Sequence, residues 1–202
     1  MVKIKVYLDF VCPYCFFAEQ IIERITEDKG NEIDVEWMPY ELRPYPAPTL
    51  KPEGEYLTKV WESSVLPMAR QLGVKIILPD ISPQPYTDLA FEGFQFAKEK
   101  GLEKEYLAGV FKSFFQLGLD IGNVIILTEI ITDIGLDPVD FRIAMEERIY
   151  RRKHQEALRH AHHEMDIKAV PSFLIGNKFI PGLIREEGLL KVIEKQIIEN
   201  TK

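Results

Sequence analysis

Val2-Lys3-Ile4-Lys5-Val6-Tyr7-Leu8-Asp9-Phe10-Val11-Cys12-Pro13-Tyr14-Cys15-Phe16-Phe17-Ala18 changes its hydrophobic period part-way along, and the change falls on two cysteines. Val2, Ile4, Val6 and Leu8 alternate with Lys3, Lys5 and Tyr7, the period of two expected of a strand with one face on a core. Beyond the cysteines, Phe16, Phe17, Ala18, Ile21, Ile22 and Ile25 recur at helical spacing until Gly30 offers a C-cap. Pro13 suits the first turn of that helix, where its missing N–H would have no partner anyway. The order predicted is strand, Cys-x-x-Cys, helix. A cysteine at a helix N-terminus sits near unpaired N–H donors and the positive end of the helix dipole, which favour thiolate over thiol. Cys12 is therefore the expected nucleophile. Cys15, one turn on and on the same side, is the expected resolving thiol and the more buried of the two.

The chain has 202 residues, 46% of them hydrophobic, which suffices for a sizeable core in one domain or one domain with an insertion. A net charge of -7 without a dense Lys/Arg run argues against nucleic-acid binding. The local patch Arg148, Arg151, Arg152 and Lys153 reads as the solvated face of a helix. No apolar run reaches the ~20 residues of a membrane span, so a soluble protein without a membrane partner is expected. Lys3, Lys5 and Asp9 interrupt the N-terminal apolar residues, which removes a signal-peptide pattern and makes the cytoplasm the expected compartment. Two cysteines form no disulfide framework, and such a pair in a reducing compartment is catalytic, redox-sensing or metal-binding.

Further along, Ile33, Val35 and Trp37 alternate with Asp34 and Glu36 and predict a second strand over 32–38. Pro39, Pro44, Pro46, Pro48 and Pro52 then enforce a stiff loop to Gly54, either a surface connection or a site wall. From Glu55 the pattern is helical for roughly a hundred residues. Tyr56, Val60, Val65, Leu66 and Leu72 support a first helix that Pro67 kinks or divides, and residues 75–78 form a short strand or an extended connection. Thr87 is the expected cap of a helix with Leu89, Ala90, Phe94 and Ala97, ended by Gly101. Further helices are expected over 103–117, 123–134 and 138–165, the last with Asp137 as N-cap and Pro138 at its first position. Phe111, Phe114 and Phe115 read as core. After Ala169-Val170-Pro171-Ser172, the runs 173–175 and 179–180 around Gly176-Asn177 predict a hairpin, and Leu189, Leu190, Ile193 and Ile197 mark a closing helix.

This order of elements, with Cys12-Pro13-Tyr14-Cys15 near the start and Val170-Pro171 before the hairpin, resembles the thioredoxin fold with a DsbA-type all-helical insertion, an α/β class. Within that superfamily it is similar to the FrnE-like branch, related to 2-hydroxychromene-2-carboxylate isomerases and kappa-class glutathione transferases. Asp9, Pro39-Tyr40-Glu41-Leu42-Arg43-Pro44, Gly118-Leu119-Asp120-Ile121, Gly135-Leu136-Asp137 and Ala169-Val170-Pro171-Ser172-Phe173 carry that narrower likeness. The resemblance implies a thioredoxin-like domain over 1–54 and 166–202 and a helical insertion over 55–165. It also implies that Pro171 is the cis-proline beside the dithiol and that the Val170 backbone pairs with an extended substrate segment; Pro13, Tyr14, Val170 and Pro171 are the candidate substrate contacts. FrnE-like relatives show a segment resembling Ser-Gly-Ala-Gln after the hairpin, where this chain has Ile180-Pro181-Gly182-Leu183. The isomerase and transferase relatives place serine at the first motif cysteine, so Cys12 with Cys15 favours dithiol chemistry.

The expected function is thiol–disulfide exchange with protein or low-molecular-weight thiol substrates. Cys12 thiolate attacks a disulfide, Cys15 resolves the mixed disulfide, and the reverse sequence oxidises a dithiol. No cation lies between the cysteines, so a potential of roughly -200 to -270 mV is expected rather than about -120 mV. No cofactor or metal is expected, glutathione is a candidate co-substrate, and the chain is a monomer or homodimer. Asp9 is a candidate acceptor for the Cys15 proton. Two rival classes are a glutathione-dependent isomerase or transferase of small aromatic substrates and a client-binding, chaperone-like protein. A Cys2His2 zinc site from Cys12, Cys15, His162 and His163 is disfavoured, because adjacent helical histidines point about 100° apart. His154, His160, His162 and His163 read as a solvated helix face.

Overall fold

The protein, described here from a computed structural model, is defined over residues 1–200. Its contacts divide it into two compact units, Met1–Leu42 with the described residues from Arg159 onward, and Arg43–Leu158. The proline-rich segment after Leu42 thus clusters with the helices. Residues 201 and 202, which the sequence reading placed in the thioredoxin-like domain, lie outside the described residues.

The first unit is built on a four-stranded sheet of order β2-β1-β3-β4, where β1 is Val2–Leu8, β2 Ile33–Pro39, β3 Ser172–Ile175 and β4 Lys178–Pro181. β1 pairs parallel with β2, Val2 opposite Ile33, which requires the crossover that α1 (Pro13–Lys29) supplies. β3 runs antiparallel to β1, Val6 opposite Phe173, and turns back through Gly176-Asn177 into β4. Gly176 sits at φ 58°, where a Cβ would also overlap the Gln196 side chain, so the turn demands glycine. Val2, Ile4, Val6 and Leu8 are buried as the alternation predicts, together with Phe16, Phe17, Ile21, Ile22 and Ile25 of α1. The closing helix α9 (Glu186–Asn200) contacts α1, β1 and β3; Leu189 and Ile193 are buried while Leu190 and Ile197 are half-buried. Tyr7 departs from the alternation. It is fully buried on the face of Lys3 and Lys5, beneath the π-helical turn His160–Glu164.

The second unit is helical: α2 (Glu55–Val60), α3 (Leu66–Leu72), α4 (Asp88–Glu99), α5 (Glu103–Phe115), α6 (Val124–Asp133), α7 (Pro138–Glu146) and α8 (Arg151–Arg159). Between α2 and α3 the chain makes a π turn over Trp61–Val65, and Pro67 falls in the first turn of α3, where it needs no donor. The buried stripe here is Leu57, Trp61, Val65 and Ala69, whereas Tyr56 is exposed. Residues 75–78 form an extended connection tied by Ile77 N–H to Phe115 O at 2.8 Å. Phe111, Phe114 and Phe115 are fully buried, with ring centroids of the last two 4.9 Å apart. A Cβ at Gly93 would overlap the Tyr106 ring, whose hydroxyl donates to Ala90 O at 3.0 Å, so glycine lets α4 and α5 approach closely.

Three sequence expectations are corrected in the helical unit and its continuation. Thr87 occupies the N-cap of α4, but its side chain makes no capping bond, unlike Asn123 and Asp137, which accept from Ile125 N and from Val139 N and Asp140 N. Arg148 belongs to no solvated helix face. It lies between α7 and α8 at φ 53° and turns inward to Glu92 and Asp88, because a buried carboxylate outcompetes water for its guanidinium. The histidines share no solvated face either: His154 is buried with its ring stacked 5.2 Å from Phe91, and only His163 of the four is exposed. No described helix is long and apolar enough to cross a membrane.

Candidate active site

Cys12 is the N-cap of α1, with φ -93° and ψ 113°, directly before Pro13 in the first turn. Its own N–H donates to Asp9 O at 3.1 Å, while its carbonyl accepts from Cys15 N at 3.0 Å and Phe16 N at 3.2 Å. The strand-to-helix junction therefore closes on itself and aims Cys12 Sγ across the end of the sheet. There Sγ donates to Val170 O at 3.6 Å. Cys12 retains 4% exposure and Cys15 none, and both are free thiols. Pro13 and Tyr14 are half-buried beside them, the Tyr14 ring packing edge-on against Phe17. The Val170-Pro171 peptide bond is cis, and Val170 stands at the margin of burial.

Cys15 lies within reach of two different influences of Asp9. The Asp9 N–H donates to Cys15 Sγ at 3.5 Å, which favours thiolate, while the Asp9 charge opposes it. Burial dominates both, and with the neighbouring Cys12 sulfur it pushes the Cys15 thiol well above its ordinary range. Asp9 itself is buried, and its Oδ2 accepts from Leu42 N at 2.7 Å, which fastens the segment after β2 to the dithiol loop.

The sequence reading left the segment after Pro39 as either a surface connection or a site wall, and did not single out Tyr40 or its partner His162 beside Asp9. Tyr40 continues the β1–β2 pairing by donating its N–H to Leu8 O at 2.9 Å, and its buried ring packs 4.6 Å from His162. Burial raises its phenol, with Lys168 pulling the other way and Asp9 adding to the rise. Burial together with His163 and Lys168 lowers His162, against Glu41. His160 bridges Tyr7 and Glu164, Nε2 3.4 Å from the Tyr7 hydroxyl and Nδ1 2.8 Å from Glu164 Oε2. The signal available was Tyr40 directly after a strand, but pairing it with His162 requires the π turn that places that ring. Among the described residues no cluster of three or more His, Cys, Asp or Glu is arranged to hold a metal ion.

The model of the DsbA-like thioredoxin domain matches residues 3–194. The chain belongs to that family. The DsbA-like family is one of thiol–disulfide oxidoreductases, and Cys12 and Cys15 of this chain lie near each other. Over all 202 residues the chain is 46% identical to the uncharacterized protein YwbO of Bacillus subtilis, covering 98% of that protein. Its fold is shared with a probable DsbA oxidoreductase from Streptomyces coelicolor, at TM-score 0.82 and 18% identity over 96% of this chain and 89% of that one. It is shared too with the cytosolic disulfide reductase DsbM of Pseudomonas aeruginosa, solved with GSH, at TM-score 0.72 and 17% identity over 96% and 98%.

Proposed function

We propose that this DsbA-like protein exchanges disulfides with protein or low-molecular-weight thiol substrates through Cys12 and Cys15. The observation that carries the reading is the asymmetry of the pair: Cys12 is the helix N-cap at the edge of burial, and Cys15 is sealed beneath it with its proton held. Only the outer sulfur meets a substrate disulfide. Attack by Cys12 thiolate forms a mixed disulfide and releases one substrate thiolate; Cys15 then gives up its proton, attacks Cys12 Sγ and releases the second. Two electrons pass from the protein dithiol to the substrate, and the reverse sequence oxidises a substrate dithiol. The cytoplasm is the proposed compartment and glutathione a proposed co-substrate, in keeping with the likeness to a cytosolic disulfide reductase solved with GSH. Two thiols in contact at a helix N-terminus suit exchange better than glutathione-dependent isomerisation, which needs no second sulfur.

Equilibration in glutathione buffers of graded poise, with trapping of free thiols, tests the reading. A reversible two-electron Cys12–Cys15 couple between roughly -200 and -270 mV is expected, since no cation flanks Cys12 within the motif. Thiols that never interconvert would sink the oxidoreductase reading, and a midpoint near -120 mV would sink the placement of the potential.

Asp9 is the proposed acceptor of the Cys15 proton, because Cys15 is closed off from water and Asp9 is the carboxylate whose charge acts on it. Asp9→Asn is expected to slow resolution of a preformed Cys12 mixed disulfide by about 10²-fold at neutral pH, the low end of general-base contributions. Rapid-mixing kinetics across pH check this. A resolution rate unchanged at every pH would leave Asp9 as a structural tether for Leu42 alone.

A further inference from the structure

The turn between α7 and α8 is held from inside at two points. Arg148 reaches in to Glu92 and Asp88 of α4, and the Tyr150 hydroxyl donates to Glu99 Oε2 at 2.7 Å. Ile149, between these anchors, is left outside with 55% of its surface exposed. Both flanking helices also rest on α4, α7 through Phe141 against Phe96 at 5.3 Å and α8 through His154 against Phe91 at 5.2 Å. Their opposite faces therefore make one outward surface centred on Ile149. On either side of that residue the exposed charges mirror each other with opposite sign: Glu147 matches Arg151, Glu146 matches Arg152, and Arg142 matches Glu156. Lys153 and its mirror position Met145 are both withdrawn, the one bonded to Glu99 at 2.9 Å and the other buried. Among the described residues Arg142, Glu146, Glu147 and Arg151 make no ion pair within the chain, while Arg152 and Glu156 make an exposed one with each other at 3.0 Å.

A surface whose charges invert on reversal is complementary to itself under a two-fold rotation, which is what an isologous contact requires. We propose that the α7–α8 surface is a homodimer contact, with Ile149 on the two-fold axis against the partner subunit's Ile149. α7 of one protomer then runs antiparallel to α8 of its partner. Glu147, Glu146 and Arg142 face the arginine, arginine and glutamate at positions 151, 152 and 156 of the second copy, and symmetry makes each pair twice. Arg152 and Glu156 exchange the bond within their own helix for bonds across the contact. Charge pairs at a rim fix register and exclude wrong partners more than they add affinity, and the isoleucines supply the apolar centre. The contact involves neither sulfur, so it stands or falls apart from the dithiol reading.

Sedimentation equilibrium of the full chain at about 0.1 mM, where weak specific contacts are populated, is the measurement. Wild type is expected to dimerise. Glu147→Arg sets arginine against arginine and should weaken the dimer about tenfold. It does so although it brings the net charge of -7 nearer zero, which lessens the general repulsion between copies. Glu147→Arg combined with Arg151→Glu restores the pair with its sign inverted and should restore the dimer, and Ile149→Asp should abolish it. Crosslinking reads the register separately, in a chain carrying Cys12→Ala and Cys15→Ala. Ile149→Cys alone should form a disulfide-linked dimer under diamide, whereas Glu147→Cys should do so only when mixed with Arg151→Cys. A monomer at every concentration up to about 1 mM would overturn the contact. So would a dimer indifferent to both Glu147→Arg and Ile149→Asp, or one in which Glu147→Cys crosslinks to itself as readily as to Arg151→Cys.

Discussion

Arg148→Ala is expected to lower the stability of the protein by about 3 kcal/mol, the lower end of what stranding a buried charge costs. Arg148 Nε donates to both oxygens of Glu92 at 2.9 and 3.1 Å, and Nη2 donates to Glu92 Oε1 at 2.6 Å and to Asp88 Oδ2 at 2.7 Å. The Glu92 side chain has no exposed surface, so alanine at 148 leaves a carboxylate in the helical core without its cation. Arg148 and Asp88 are each about a third exposed, which is why the lower end applies. Two further variants separate charge from backbone. Arg148→Gly relieves the left-handed conformation at φ 53°, worth about 1 kcal/mol, and should be that much less damaging than alanine. Adding Glu92→Gln to Arg148→Ala replaces the stranded charge by a neutral amide and should recover part of the loss. Urea unfolding at unchanged slope is the measurement. A shift under about 1 kcal/mol for Arg148→Ala would mean that Glu92 finds water or another partner once the guanidinium is gone.

Arg148 also marks where the sequence stops being legible. Its neighbours Arg151, Arg152 and Lys153 do follow a helix, and charge composition alone places Arg148 with them. That it belongs instead with Glu92, 56 positions earlier, is a tertiary fact that no local period encodes. The strand–Cys-x-x-Cys–helix order was readable because three local signals agree on it: alternation before Leu8, Pro13 in a first turn and the helical stripe from Phe16. The same agreement makes Asp137 a working cap. Thr87 fails as a cap because its backbone, at φ -102° and ψ 2°, is not in the extended conformation that lets an N-cap side chain reach back to the helix N–H groups. His162 was misread for a related reason: α8 gives way to a π turn at His160, which shifts the facing of the residues beyond it and lays His162 on Tyr40, whereas His154, ahead of that turn, is buried by a tertiary stack on Phe91. Within the site, Cys12, Cys15 and Asp9 converge as their spacing in one loop suggests. The Val170 carbonyl reaches them from 158 positions away, a contact for which the sequence offered only the likeness of Val170-Pro171 to a family motif.

Glu19→Gln is expected to stabilise the protein by about 3 kcal/mol at pH 8 and by little at pH 4. Glu19 lies on α1 one turn beyond Cys15, retains 4% exposure, and has its carboxyl pushed up from 4.5 to about 7, chiefly by burial, with Glu23 adding to the rise and the Gln20 amide at 2.7 Å opposing it. A carboxyl whose folded value is raised favours the folded state in its protonated form. Below pH 4.5 both folded and unfolded chains hold the proton, and no penalty is felt. As pH climbs from 4.5 to 7 the unfolded chain releases the proton first, so folding must retain it at growing cost. Above 7 the penalty is complete, at about 1.4 kcal/mol for each unit between the two values. Glutamine carries no such linkage, so the difference in stability between wild type and Glu19→Gln, measured by urea unfolding at steps from pH 4 to pH 8, isolates the group from every other titration. The curve should open between 4.5 and 7 and flatten beyond. A difference constant with pH would mean that the carboxylate reaches solvent or a cation in the folded protein. Because the groups acting on Cys15 are Cys12 and Asp9, the same substitution should leave the Cys12–Cys15 equilibrium with glutathione where it was, although it changes the helix on which both sulfurs sit.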